Sequence, residues 1–245
     1  MTVGFPHTTH SDNPPQAVPG QFREVTVPKW LRQSGRSLSA IIYIHIMSPR
    51  ALQTFEITAN SLLSQGICEF GITTFAQLVL RVSTIPYGRT TSNSPLAILV
   101  ENRGTCSPKH RLLAEVAQEF QHFEVSLVVG IYDMSEDNTP GVGVVLGAAR
   151  LDSIPEAHCC LKVDGSRFDF TGLPVGLKSP FESLVSETVV SPVRLVEDKK
   201  RLHMEILQAW ADRHDLSIDD AWIVREACIA ALAARQSRPA NCSHS

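Results

Sequence analysis

The chain has 245 residues, 43% of them hydrophobic, enough for one full core and an appended helical piece. A formal net charge of −3 removes the electrostatic case for nucleic acid or an anionic membrane surface, and no apolar run is long enough to cross a bilayer. The opening residues, Met1 to His7, have neither the basic start nor the apolar core of a secretion signal, so the expectation is a soluble, cytoplasmic protein. The cysteines Cys68, Cys106, Cys159, Cys160, Cys228 and Cys242 form no C-x-x-C pair and no regular framework. That argues against a zinc site and against a secreted disulfide scaffold, and suits a reducing compartment.

Residues 1–24 carry Pro6, Pro14, Pro15 and Pro19 among many polar residues and read as a disordered tail, His7 and His10 included. Residues 38–47 read as a strand holding His45 as a packed histidine. Pro49 opens a helical pattern through Leu63, stopped by Gly66. A second helix is predicted over 73–83 on Phe75, Leu78, Val79 and Val82, followed by a loop over 85–95.

The stretch from Glu101 to Phe120 organises the chain. Gly104 allows a sharp turn, Thr105 or Ser107 can cap a helix, and Pro108 fits a first turn where a missing N–H costs nothing. Leu112, Leu113, Val116, Ala117 and Phe120 then recur at helical spacing. Cys106 therefore lies at a helix mouth, where unpaired N–H groups and the macrodipole favour a thiolate. The competing reading is a small buried thiol.

Residues 123–132 read as a buried strand and 133–157 as a loop. The acidic cluster of Asp133, Glu136 and Asp137 lacks the ordered ligands of a calcium loop, so no metal is expected. Two alternating runs joined by Asp164-Gly165 then predict a hairpin over 158–171, with Val163 opposite Ser166, Lys162 opposite Arg167 and Leu161 opposite Phe168. Continuing that register pairs Cys160 with Asp169 and His158 with Thr171. Cys159, Leu161, Val163, Phe168 and Phe170 share the apolar face. His158 and Asp169 become diagonal neighbours on the polar face, unless the ribbon is an ordinary half-exposed one with a chance pair. Residues 172–191 are irregular. Helices over 198–214 and 217–235 close the chain, the second starting on a Ser217-x-x-Asp220 cap. The organisation expected is a tail (1–24), a catalytic domain (25–195), a helical hairpin packed on it (196–236) and a disordered end (237–245).

Cysteine, histidine and aspartate in this order suit nucleophilic catalysis. Cys106 would attack a carbonyl carbon, His158 would carry the proton, and Asp169 would orient the imidazole. The Cys106 N–H is a natural oxyanion donor, with Tyr87, Asn93 and Asn102 as candidates for a second substrate contact. His110, one turn beyond Cys106, is the alternative base, and Asp164 the alternative orienting carboxylate.

The run Leu96-Ala-Ile-Leu-Val-Glu-Asn-Arg-Gly-Thr-Cys106, with Leu112 and Leu113 after it, resembles the nucleophile segment of transglutaminase-like proteins. His158, Gly165 and Asp169-Phe-Thr171 resemble their His strand and Asp-x-Thr strand. The likeness spans residues 85–172. It departs where Cys159 and Cys160 replace the usual aromatic after the histidine, and where Phe123-Glu-Val-Ser replaces a Gly-Ile-Pro-Ala-Arg run. The resemblance implies an α+β, papain-like core with the nucleophile helix on an antiparallel sheet, a Cys106–His158–Asp169 triad and no cofactor. It implies amide-bond formation through a Cys106 thioester, possible in a biosynthetic setting. The partners would be an acyl donor (an amide or a carrier-bound thioester), an amine acceptor and a carrier protein. Two alternatives share the sequence: a thiol hydrolase (peptidase, amidase or deamidase) on the same triad, and a catalytically silent binding module.

Overall fold

The computed structural model describes residues 54–174 and 176–236. The expected tail, the strand over 38–47 with His45, the start of the helix expected from Pro49, Cys242 and the end from 237 lie outside them.

Helix α1 is Leu62–Glu69 and α2 is Phe75–Thr84. Each starts on a reciprocal capping box, Ser61 with Ser64 and Thr74 with Gln77, which satisfies backbone donors the helix leaves open. The expected helix ending near Leu63 is corrected here. Residues 54–61 are not helical, with Glu56 bridging Thr74, and α1 begins only after Ser61 and runs through Gly66. Gly66 is a packing residue rather than a stop, because a Cβ there would collide with the Leu96 side chain. Helix α2 buries Phe75, Leu78, Val79 and Val82, as the spacing predicts.

A short turn of helix, α3 (Ala97–Val100), leads to α4 (Cys106–Glu119). Thr105 occupies the cap position in extended backbone, but its hydroxyl makes no capping bond. Gly104 lies so close to Ile98 and Lys109 that an added Cβ would meet Ile98 Cγ2 at 2.8 Å. That close approach brings Cys106 back against the core. Leu112, Leu113, Val116 and Ala117 are all fully buried.

The sheet is four-stranded and antiparallel, in the order β3-β2-β1-β4, with β1 Ser126–Met134, β2 Ile154–Val163, β3 Ser166–Phe168 and β4 Leu184–Val190. With the helices this makes the fold α+β. Asp164 (φ 48°) and Gly165 (φ 79°) both take the left-handed conformation of a type I′ turn, and the three predicted pairs are those found. The predicted pairs beyond Phe168 are not formed, because β3 ends there. Three further expectations are corrected. Residues 133–157 contain α5 (Gly143–Ala148), and β2 already begins at Ile154. Glu136, from the acidic cluster, accepts from the Gly141 and Gly143 N–H groups at 2.8 and 2.6 Å, which fixes the turn into α5. Residues 184–190, expected to be irregular, are an edge strand on β1.

Because β3 is so short, residues 154–160 of β2 have no strand on that side. Helix α6 (Leu195–Arg213) covers part of this open edge, and His203 Nε2 donates to the Pro155 carbonyl at 2.8 Å. Helix α7 (Ile218–Gln236) packs against α6 and α5. One hydrophobic cluster joins α1, α2 and α4 to the sheet. A second mixes Tyr87, Tyr132, Met134 and Ile154 with Leu207, Trp210, Cys228 and Leu232, so α6 and α7 share a core with residues before position 195. No helix of the described residues is long and apolar enough to cross a membrane.

Candidate active site

Cys106 is the first residue of α4, only 3% exposed, and lines a surface groove of about 340 Å³. Its N–H belongs to the helix start and has no intrahelical acceptor. The thiol pKa is held well below its ordinary value. The largest cause is a hydrogen bond from Cys159, which outweighs burial together with the charges of Lys199 and His158 and a hydrogen bond from His158. Cys159, as donor, is pushed up in turn. Ser107 sits among these groups, its Oγ 3.8 Å from Cys106 Sγ and 3.4 Å from Cys159 Sγ. Neighbours on a strand normally face opposite ways, yet His158 and Cys159 both interact with this sulfur. The partnerless edge of β2 allows it, because a sulfur approaching there meets side chains of both faces.

His158 links the thiol to Asp169. Its Nε2 donates to Asp169 Oδ2 at 2.9 Å, which leaves Nδ1 for the sulfur. Burial opposes charge on this ring, but the Asp169 carboxylate and the Cys106 sulfur outweigh it and hold the imidazole pKa up at about 10. Both shifts favour a thiolate–imidazolium pair over the neutral thiol and imidazole. Asp169 Oδ1 accepts from the Thr171 N–H at 2.8 Å and from the Thr171 hydroxyl. Burial works against its charge too, and the His158 imidazolium and these donors hold its pKa well below the carboxylate range. The polar face is covered mainly on its β2 side: His158 and Cys160 are buried, with the Tyr132 and Phe181 rings 6.3 and 5.8 Å from the His158 ring, while Arg167 and Asp169 remain exposed.

His110 has a different job. Its Nε2 accepts from the Phe170 N–H at 2.8 Å, so Nδ1 carries the proton and donates to the Cys106 carbonyl at 2.9 Å. Desolvation is the main cause that lowers its pKa to about 4, and the ring stays neutral. With both nitrogens committed it is no base for the thiol; it ties the first turn of α4 to the chain beside Asp169. Lys109 is equally buried and its Nζ donates to the carbonyls of Ile85 and Thr171 at 2.5 and 2.6 Å, holding the loop before the groove to the segment after Asp169. Asp164 stays in the turn, exposed, and orients nothing.

Tyr87 and Asn93 both line the groove. Burial, then the nearby sulfur, raises the Tyr87 pKa well above its ordinary value, so the phenol stays a donor. Asn102 is not in the lining. It adopts φ 51° in the turn before α4, and its Oδ1 accepts from Arg81 at 2.9 Å, so its role is local. Among the described residues no cluster of three or more metal-ligating side chains occurs.

Three residues here were invisible in the sequence. Lys199 on α6 reaches Ser107 Oγ at 2.8 Å and Cys106 Sγ at 3.5 Å. It lies one turn before His203, so the two share the α6 face that covers β2. The only available signal was that spacing; an Asp-Lys-Lys run at a helix start otherwise reads as a solvated face. Glu156 and Arg225 form a buried bidentate pair at 2.5 and 2.7 Å in the groove wall. Replacing Glu156 with Ala is expected to leave the buried guanidinium with only Glu226 at its side and lower stability by about 3 kcal/mol, read as a lower urea midpoint.

The ion pair also sets an expected pH behaviour. Cys106 should alkylate with iodoacetamide at pH 6, where a free thiol is less than about 1% ionised. Cys228 and Cys160 are pushed up by burial to about 11 and about 12 and should stay protonated. The rate at Cys106 should exceed theirs by about 100-fold or more, read by peptide mapping. It should fall only as acid protonates the thiolate, below its depressed pKa.

No family model, no curated protein and no solved structure matches this chain.

Proposed function

We propose that the protein is a cysteine acyltransferase of transglutaminase-like type, with a papain-like core, that forms an amide bond through a Cys106 thioester. The observation that carries the reading is the set Cys106–His158–Asp169, with the thiol on a groove and the imidazole between thiol and carboxylate. The Cys106 thiolate attacks the carbonyl carbon of the donor, an amide or a carrier-bound thioester. The Cys106 N–H and the Tyr87 hydroxyl stabilise the oxyanion. His158 gives its Nδ1 proton to the leaving amine or thiol as the carbonyl re-forms. An amine then enters, His158 removes its proton, and attack on the thioester releases the amide and restores the thiolate. Asp169 keeps Nε2 protonated and the ring turned toward sulfur throughout. Free thiols at every described cysteine suit a cytoplasmic setting.

Transfer is favoured over hydrolysis because Cys106 is only 3% exposed and the imidazole lies among aromatic rings, which restricts water at the thioester. Incubation with an aryl thioester and a panel of primary amines tests this. Amide product rising with amine concentration, lost in Cys106→Ala, is the expected result. Release of free acid alone would make the protein a hydrolase on the same triad, and no consumption of donor would leave a silent module.

A further inference from the structure

The groove beside Cys106 is more basic than the chain as a whole. Arg89, Arg111, Lys199, Lys200 and Arg225 line it against only Glu156 and Glu226. The arginines are neutralised within the protein. Arg225 binds Glu156 and Glu226, Arg89 binds Glu226 at 2.5 Å, and Arg111 binds Glu115 at 2.7 Å. Lys199 forms no direct ion pair with a carboxylate among the described residues, although the charge of Glu156 in the groove wall still acts on it; its Nζ is held by the Ser107 hydroxyl and the Cys106 sulfur. In the resting protein its counter-ion is the thiolate.

Acylation removes that counter-ion. A thioester sulfur carries no charge, so the ammonium 3.5 Å from it would lose the anion it touches and keep only the longer-range field of Glu156. A replacement for that contact can arrive with the acyl group, which occupies the site while the sulfur is neutral.

We propose that Lys199 binds a carboxylate carried on the acyl portion of the substrate, so that the groove selects anionic acyl donors. The inference rests on Cys106 being the acylated nucleophile. The carboxylate takes over the hydrogen-bonding and charge that the thiolate gave Lys199, and the cation keeps a partner at each stage of the cycle. A neutral acyl chain offers no such replacement and loses the contact formed as the thioester forms. Lys200, on the same groove wall, adds to the attraction without touching the sulfur.

Iodoacetate and iodoacetamide test this without knowledge of the natural donor. Both transfer a two-carbon group to sulfur with loss of iodide and differ in carrying a carboxylate or an amide. The rate ratio of iodoacetate to iodoacetamide at Cys106 is expected to exceed the ratio for free cysteine by about tenfold. It should fall severalfold toward the free-cysteine value in Lys199→Met, be restored at least in part in Lys199→Arg, and decline in the unmodified protein as sodium chloride is raised. Lys199 also stabilises the thiolate, but that effect slows both reagents equally and cancels in the ratio. Fast alkylation at Cys106 with a free-cysteine ratio and no salt dependence would overturn the carboxylate site alone. Slow alkylation by both reagents, no faster than at the other thiols, would overturn the nucleophile reading and this one with it.

Discussion

Replacing His158 with Ala is expected to lower acyl transfer by about 10³- to 10⁶-fold, close to the complete loss expected for Cys106→Ala. The imidazole does two things that no other described group can take over. In the proposed mechanism it holds the sulfur as a thiolate before the donor arrives, and it protonates the group that leaves. His110 cannot substitute, because Phe170 N–H occupies its Nε2 and the Cys106 carbonyl its Nδ1. Lys199 would still favour the thiolate, so some alkylation at Cys106 should persist while turnover does not. Both variants should keep the far-ultraviolet circular dichroism of the parent. His158→Ala leaves Asp169 with its Thr171 donors but without its imidazole, at a stability cost of about 1–3 kcal/mol. Near-parental rates in either variant, measured as amide formed per minute, would contradict the assignment.

The second large effect is at Asp169. An aspartate here accepts on both oxygens, from His158 on Oδ2 and from Thr171 on Oδ1. An asparagine of the same shape offers one acceptor and one donor. Either its amide N–H₂ faces His158 Nε2, which forces the ring into the wrong tautomer, or it faces the Thr171 N–H and the turn opens. Asp169→Asn should therefore reduce kcat/KM by about 10²- to 10⁴-fold, the range expected when the orienting carboxylate of a triad is lost. It should also lower the pKa of His158, because the charge that raises it is gone. That shift separates an orienting role from a merely structural one: the resting ion pair weakens and alkylation at pH 6 slows, even where the urea midpoint is unchanged.

Local signals were readable in the sequence to the extent that local physics decides them. Asp164-Gly165 defines a two-residue turn, and such a turn sets its own register, so three pairs of the hairpin follow. The apolar stripe from Leu112 to Ala117 faces inward because a helix with that period has one place to put it. Strand β4 hid because Ser186, Glu187 and Thr188 interrupt any alternation. Glu187 is polar for a non-local reason, since it receives Lys162 and Arg167 from the hairpin across the sheet. Gly66 read as a stop for want of any sign that Leu96, thirty residues on, presses against it. The same limit hid part of the site. Cys106, His158 and Asp169 have their own turn and strand signals, whereas Lys199 and the Glu156–Arg225 pair acquire meaning only once α6 and α7 lie beside β2. Asn102 shows the opposite error: a polar residue close in sequence to the nucleophile, spent on a turn.

The most direct measurement is the intact mass of the protein after brief exposure to an aryl thioester without amine, followed by mapping of the modified peptide. The account predicts one acyl group, carried on Cys106, absent from Cys106→Ala, formed far more slowly in His158→Ala, and discharged when an amine is added. An unmodified protein, or an acyl group spread over surface lysines and unaffected by either substitution, would contradict it.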